Sequence, residues 1–214
     1  YERYMYLIDL FKKHKYNEKK ISEDCPFLIQ DVLFNVLLLK SNYALLEIYK
    51  ILKDNQKVNI INNWIEKTSK SINEKMFKDD FYYSYDLVRN KLVNIKTITG
   101  LTPIILDFNV DLIKKNLNDS FLNSHYKIAS LDRSESVFDP INYWRGPMWI
   151  NLSWMIYNGL QNNGYFSLAK KIKNTCLSQI DKFGFYEYYN SVDDNGCGDN
   201  YFSWTASIYV CFIT

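Results

Sequence analysis

The sequence predicts a mostly helical protein with one short β-hairpin. Apolar residues recur every three or four positions along most of the chain, which is the spacing of one helix face. Alternation typical of strands is confined to residues 81–96. Six of the seven glycines and three of the five tryptophans follow residue 145. We therefore expect antiparallel helix pairs whose connecting loops carry a functional site at one rim.

The first half of the chain is predicted to be helix after helix. One periodic segment runs from Leu28 to Leu52, with a break near Ser41-Asn42. The next is an amphipathic helix with Trp64 beside its apolar stripe, which consists of Val58, Ile61, Ile65 and Ile72. Two short apolar runs around Arg89-Asn90 predict the hairpin.

The second half combines irregular stretches with strong helices. Short helices are predicted around 109–117 and 118–123, followed by a loop over 124–146, a length usually seen in functional or disordered loops. Two helices then flank a turn at Asn162–Gly164; their apolar faces are Met148, Leu152, Met155 and Gly159, and then Tyr165, Ala169, Ile172, Cys176 and Ile180. A second irregular stretch, 183–202, leads into a final apolar helix.

Composition narrows the class of protein. The 214 residues suffice for one domain, and 47% hydrophobic and 17% aromatic content argues against disorder. The net charge is only +2, and the one dense basic run, Lys12 to Lys20, fits a solvated face. We expect no nucleic-acid partner, because that requires basic residues gathered on one face.

The cysteines argue against a metal site. The four cysteines form no CxxC pair and are joined by only two histidines, so we expect no metal and no cofactor. Cys176 and Cys211 lie in apolar helical stretches and are predicted to be core residues. Free thiols favour the cytoplasm, and no apolar run predicts a membrane span. A signal peptide upstream of Tyr1 stays possible.

The first segment with chemical character runs from Asn142 to Trp149. Pro147 fits the first turn of a helix, and Gly146 permits a sharp turn before it. Tyr143, Trp144 and Arg145 would then offer an aromatic surface and a permanent cation to a pocket. The alternative is that Trp144 packs in the core and Arg145 pairs with a surface carboxylate. Trp149 and Trp154 are assigned to packing alone.

The second segment places Glu187 among Phe185, Tyr186, Tyr188 and Tyr189. Burying a carboxylate costs several kcal/mol unless it is paired, with Arg145 or a tyrosine hydroxyl as possible partners. Such surroundings tune a carboxylate for acid or base catalysis. The alternative is a half-exposed Glu on an aromatic edge strand.

A third segment, Tyr201–Ala206, follows a stretch that contains three aspartates and two glycines. That stretch, 190–200, lacks the alternating ligands and terminal Glu of a calcium loop. We interpret it as a turn that lets Trp204 approach the site.

Together these segments resemble the glycoside hydrolase family that contains processing α-glucosidase I, bacterial α-glucosidases and mannosylglycerate hydrolase, with the trehalases as relatives. The family's Tyr-Trp-Arg-Gly-Pro-x-Trp block matches Tyr143–Trp149, and its Gly-Phe-x-Glu-Tyr block matches Gly184–Tyr188. A glycine-containing turn and the block Phe202–Ala206 follow in the family's order. The match is best over 138–208.

The resemblance implies an (α/α)6 barrel and an inverting mechanism, with two carboxyl groups about 6.5–9.5 Å apart. Glu187 matches the general base, and the sugar-holding positions match Tyr143, Trp144, Arg145, Gly146 and Trp204. The family's general acid, an Asp in a Ser-Pro motif, has no counterpart in 1–214. The chain is thus expected to be the C-terminal part of one barrel domain and inactive alone.

The expected partner is a small oligosaccharide or glycoside. An α-glucoside, an α-mannosyl or glucosyl glycerate and a trehalose-like disaccharide all stay open. A non-catalytic helical sugar-binding or scaffold module is the alternative to a hydrolase. An isoprenoid enzyme with the same barrel would need Asp-rich metal motifs, which the sequence lacks.

Overall fold

The computed structural model describes residues 2–214 and confirms that the chain is mostly helical. Within that range lie a 3-10 helix (Ile98–Leu106) and two short π-helices (Ile72–Met76 and Leu117–Phe121). The α-helices are α1 (Glu2–Lys13), α2 (Glu18–Asp24), α3 (Val32–Ile51), α4 (Asn55–Ser71), α5 (Val110–Asn116), α6 (Ile150–Asn162), α7 (Phe166–Phe183) and α8 (Ser203–Ile213).

A polar cap fixes the start of α3. The Asp31 side chain accepts a hydrogen bond from the Phe34 backbone N–H at 3.2 Å, satisfying a donor that has no partner inside the helix. The helix thus begins at Val32, and Leu28 lies outside it. The predicted break near Ser41-Asn42 is wrong. Asn42 is buried, and packing of the helix outweighs the small propensity cost of two polar residues.

In the described part of the chain the strands are two residues each and form three small antiparallel sheets. They are β1 (Ile29–Gln30), β2 (Phe77–Lys78), β3 (Phe81–Tyr82), β4 (Tyr85–Asp86), β5 (Lys91–Leu92), β6 (Tyr188–Tyr189) and β7 (Gly196–Cys197). One sheet has the order β1-β4-β5, and the others pair β2 with β3 and β6 with β7.

The predicted hairpin exists, but its first strand differs. Tyr85–Asp86 pairs with Lys91–Leu92, as expected for a turn at Arg89-Asn90. Phe81–Tyr82 turns back on Phe77–Lys78 instead. The tight turn between them is made by Asp79 and Asp80, both with positive φ, a conformation that aspartate tolerates better than most residues.

The core is centred on the 3-10 helix. It contacts both α3 and α6, while α3 also packs on α4 and α6 on α7. Leu101 and Ile104 are completely buried there. Cys176 of α7 is buried as predicted, but Cys211 is exposed. The prediction for Cys211 is wrong because α8 turns the neighbouring Phe212 toward the core instead.

Helix α6 begins later than predicted. It starts at Ile150, so Pro147 lies before the helix rather than in its first turn, and Trp149 has extended backbone angles. Met148 pairs its backbone N–H and C=O with Tyr189, so neither group is free to enter the helix. The residues between Gly146 and Trp149 therefore form an extended approach to α6.

Helix α3 departs from the expectation that no apolar run reaches membrane-spanning length. By length and composition alone, its 20 residues could cross a membrane. One face of the helix, which includes Val36 and Leu39, is fully buried in the protein core. A core helix of a globular protein meets the same criterion.

Gly159 lets α6 approach the 3-10 helix closely. A methyl group at Gly159 would lie 2.4 Å from Ile104 Cγ2. Alanine favours a helix by about 1 kcal/mol, but overpacking costs about 1–3 kcal/mol. We expect Gly159→Ala to lower the free energy of unfolding in urea by about 1 kcal/mol. The control Asn162→Ala, on an exposed position of the same helix, should change it by less than about 0.5 kcal/mol. A stabilised Gly159→Ala variant would contradict the close approach.

Candidate active site

A pair of backbone hydrogen bonds joins the two main sequence segments. The Met148 N–H donates to the Tyr189 carbonyl at 2.8 Å, and the Tyr189 N–H donates to the Met148 carbonyl at 2.9 Å. The Glu187 N–H donates to the Asp199 carbonyl at 2.9 Å on the other side. Two segments far apart in sequence therefore lie side by side in extended conformation, with Glu187 immediately before β6.

The start of α8 is attached to the residues that precede β6. The Phe202 N–H donates to the Phe185 carbonyl at 2.7 Å, and the Thr205 hydroxyl donates to the Tyr186 carbonyl at 2.6 Å. The third sequence segment thus lies beside the residues that precede Glu187.

Four aromatic rings form what we call the aromatic wall: Tyr143, Trp144, Trp149 and Tyr188. Trp149 is buried and stacks on Trp144, with ring centroids 3.8 Å apart, and on Tyr188 at 5.0 Å. Tyr143 meets the other three edge-on. Its carbonyl accepts a hydrogen bond from the Trp149 indole at 3.0 Å. Burial, aided by the nearby Cys197 and Glu187, raises the pKa of Tyr188, which keeps its hydroxyl protonated.

Trp149 was assigned to packing from the sequence, and the structure gives it a second role. It is stacked behind Trp144, which is 43% exposed. Both tryptophans belong to the Tyr-Trp-Arg-Gly-Pro-x-Trp block, so the sequence contained a sign that they act together. The prediction of a helix starting at Pro147 placed Trp149 inside the helix and therefore missed the stacking. With Trp149 extended rather than helical, its ring turns back onto Trp144.

Glu187 is half-buried, and its carboxylate lies against the glycine-containing turn. A methyl group at Gly198 would come within 2.5 Å of Glu187 Oε2, and Gly198 has a φ of +72°. Both facts require glycine there. Within residues 2–214 the Glu187 carboxylate makes neither an ion pair nor a hydrogen bond, so neither Arg145 nor a tyrosine hydroxyl is its partner. Its oxygens are available to a ligand.

Arg145 and Trp204 are placed differently from the aromatic wall. The Arg145 guanidinium donates through Nε to the Val137 carbonyl at 3.2 Å, and it forms no ion pair with the carboxylates in the described part of the chain. The alternative of a surface ion pair for Arg145 is therefore not observed. Trp204 is 54% exposed and meets the Phe202 ring edge-on. Its ring stands outside the wall.

Gly146 allows the backbone before Pro147 to lie close to the backbone of the preceding loop. A methyl group there would lie 2.5 Å from the Asp139 carbonyl oxygen. The Gly146 N–H donates to the Ser130 hydroxyl at 3.0 Å. The residue is buried, so its own contribution is backbone geometry that fixes the direction of Tyr143–Arg145.

A buried cation holds the turn between β6 and β7. Lys127 is 2% exposed, and its Nζ donates to Asp194 Oδ1 at 2.6 Å and to the Asp193 carbonyl at 2.8 Å. Lys182 reaches the other Asp194 oxygen at 2.9 Å from the surface, and Gln179 donates to Oδ1 at 3.2 Å. The hydrogen bonds from Lys127, Lys182 and Gln179, in that order, hold the pKa of Asp194 well below its usual range. Within this aspartate-rich stretch, the Asp194 carboxylate is thus paired with two lysines.

Comparisons with known proteins agree on one family. The family described as "Mannosylglycerate hydrolase MGH1-like glycoside hydrolase domain" matches residues 1–205. Mannosylglycerate hydrolase of Rubrobacter radiotolerans is 32% identical over 97% of this chain and 49% of that protein. The Thermus thermophilus enzyme of the same name is 30% identical over 97% of this chain and 51% of its own length. The chain thus spans about half the length of these curated relatives.

Solved structures show the same relationship. A GH63 mannosylglycerate hydrolase from Thermus thermophilus, in complex with glucose, superposes with a TM-score of 0.93 at 29% identity. The alignment covers 100% of this chain and 52% of that one. Neutral trehalase from Saccharomyces cerevisiae is 15% identical, covers 84% of this chain and 36% of its own, and has a TM-score of 0.68. That likeness shows the fold alone, which is of the helical-barrel type.

The lowered pKa of Asp194 predicts acid sensitivity. Its folded value lies below the unfolded value of about 3.9, so its stabilising effect is complete above that pH and disappears as the pH falls through the folded value. We expect Asp194→Asn to lower the free energy of unfolding by about 1–2 kcal/mol at pH 7. The loss is no larger because half of the Asp194 side chain is exposed to water, which screens its charge. Denaturation at several pH values should show this difference shrinking below about pH 4.

The control for this prediction is Lys182→Met, which removes only the exposed partner. It should cost less than about 1 kcal/mol at pH 7. A difference between wild type and Asp194→Asn that stays constant down to about pH 2 would contradict the prediction.

Proposed function

Since this chain belongs to the mannosylglycerate hydrolase MGH1-like glycoside hydrolase family, we propose that the full protein is an inverting hydrolase of α-linked glucosides or mannosides. Residues 1–214 would form the C-terminal part of its (α/α)6 barrel domain. The observation that carries the proposal is the Glu187 carboxylate. It is half-buried, unpaired within residues 2–214, and attached by backbone hydrogen bonds to the segment that bears the aromatic wall.

The aromatic wall suits a sugar ring. Trp149 covers one face of Trp144 and leaves part of that indole exposed, so the C–H groups of a pyranose could pack on it while its hydroxyls face polar groups. Tyr143 and Trp144 belong to this wall, and the Gly146 backbone would fix their direction. Arg145 and Trp204, both exposed, would complete the pocket when substrate binds. Arg145 has donors to spare for hydroxyl or carboxylate oxygens.

Glu187 would act as general base. It would take a proton from a water molecule that attacks the anomeric carbon, while a general acid outside this chain protonates the departing oxygen. The water oxygen bonds to carbon from the face opposite the leaving group, so the configuration inverts. Two carboxylates earlier in the chain serve other purposes. Asp31 caps α3, and Asp86 is held by Arg89 at 2.6 Å.

Glycerate glycosides are the first substrates to test. The Thermus thermophilus mannosylglycerate hydrolase is known in complex with glucose and, in another crystal structure, with Tris and D-glycerate. The latter covers the whole of this chain at a TM-score of 0.91. The four free cysteines support a reducing compartment, and we propose the cytoplasm.

Replacing Glu187 by glutamine in the full-length protein tests the assignment. The amide keeps the shape of the side chain but cannot accept the water proton, so we expect kcat to fall by about 10²–10⁴-fold. Substrate binding, measured by calorimetry, should persist. The control Glu74→Gln changes an exposed glutamate and should leave both values unaltered. Full turnover in Glu187→Gln would remove Glu187 from the mechanism, and binding without turnover by the wild type would favour a non-catalytic sugar-binding module.

Stereochemistry gives a separate test. Proton NMR recorded early in the reaction on an α-glycoside should show the β-anomer of the released sugar first, because one displacement inverts the anomeric carbon. An α-anomer formed first would mean two displacements and a nucleophilic carboxylate.

A further inference from the structure

The buried segment Lys127–Ser130 lies between the two parts of the candidate site. All four of its residues are 2% exposed or less. It belongs to the long loop that leads to the aromatic wall, yet it also contacts the turn that follows Glu187. Neither the sequence motifs nor the proposed chemistry gives this segment a role.

On one side, the segment holds the hairpin that carries Glu187. Lys127 Nζ binds the Asp194 carboxylate and the Asp193 carbonyl, and both residues belong to the turn between β6 and β7. Glu187 immediately precedes β6, and Gly198, which touches its carboxylate, immediately follows β7. The hairpin is two residue pairs long, so the position of its turn determines the position of its open end.

On the other side, the segment holds the approach to the aromatic wall. The Ser130 N–H donates to the Pro147 carbonyl at 3.0 Å, and the Ser130 hydroxyl accepts from the Gly146 N–H at 3.0 Å. Tyr143, Trp144 and Arg145 directly precede Gly146. One anchor of the hairpin and one anchor of the wall are therefore the two ends of a single short buried segment.

We propose that Lys127 is a positioning residue for Glu187, and that segment Lys127–Ser130 sets the distance between this carboxylate and the aromatic wall. The catalytic part of this inference rests on the proposed function; the positioning part does not. Lysine suits the task because its buried ammonium must keep its hydrogen-bond partners or lie unpaired in the interior, which is strongly unfavourable. The folded hairpin therefore requires Lys127 to keep its hydrogen bonds to Asp193 and Asp194.

The effect on catalysis should exceed any effect on binding. A carboxylate displaced by about 1 Å can lose on the order of 10²-fold in rate, whereas the aromatic wall has its own anchor at Ser130. Lys182 provides the matched control. It binds the same Asp194 carboxylate with the same functional group, but from the surface, with its side chain 56% exposed.

The experiment compares Lys127→Met with Lys182→Met in the full-length protein, far below the unfolding temperature of each. Hydrogen exchange of the Glu187, Tyr189 and Asn190 amides reports the hairpin, since these amides bond to Asp199, Met148 and Asn195. In Lys127→Met we expect exchange at least about tenfold faster there, with α3 and α6 unchanged. On a glycerate glycoside, kcat should fall by about 10–100-fold and KM should change by less than about threefold. Lys182→Met should match the wild type in each measurement.

A double variant separates positioning from general stability. If Lys127 acts through Glu187, then Lys127→Met combined with Glu187→Gln should be no slower than Glu187→Gln alone. Multiplied losses would overturn the proposal, as would unchanged hairpin exchange or unchanged kcat in Lys127→Met. If Lys127→Met fails to fold, Asp194→Asn replaces it in the experiment and is judged by the same criteria. This variant removes the carboxylate but keeps the hydrogen bond from Lys127 to the Asp193 carbonyl. Full activity in Glu187→Gln would remove Glu187 from the proposed mechanism, while hydrogen exchange would still decide whether Lys127 holds the hairpin.

Discussion

The paired hydrogen bonds between Met148 and Tyr189 are the contact on which the rest of the site depends. They place the strand that carries Glu187 beside the segment that carries the aromatic wall. They also keep Met148 extended, which delays the start of α6 and turns the Trp149 ring onto Trp144. Two backbone hydrogen bonds between residues distant in sequence thus place the strand that follows Glu187 beside the aromatic wall.

The charged groups near the site are of two kinds, paired and unpaired. Lys127 and Asp194 are paired with good geometry, and their pairing stabilises the turn of the hairpin. Glu187, at the open end of the same hairpin, is half-buried and has no hydrogen-bond or ion-pair partner among the described side chains. A protein gains nothing in stability from an unpaired carboxylate in such a place. That cost is consistent with a group whose partner is a ligand.

Glycine has a specific physical task at two of the site positions. Gly198 has a positive φ and leaves space for the Glu187 carboxylate. Gly146 lets its backbone lie close to the Asp139 carbonyl. In both cases an added methyl group would approach within 2.5 Å of an oxygen atom. Of the six glycines after residue 145, Gly146 and Gly198 are thus explained by close contacts at the site, while Gly159 serves the packing of α6 on the 3-10 helix.

The helical class, most helix positions and the family could be predicted from the sequence. Helical periodicity and the spacing of Tyr143–Trp149, Gly184–Tyr188 and Phe202–Ala206 are local properties of the chain. Composition around Glu187 also marked it as the residue of chemical interest. Local signals misplaced the start of α6, the partner of Phe81–Tyr82 and the exposure of Cys211. These features became visible in the folded protein, as did the contacts of Lys127 with Asp194 and of Trp149 with Tyr188. Each of these contacts depends on which strands, helices and loops meet, and the residue pattern within one segment carries no information about that meeting.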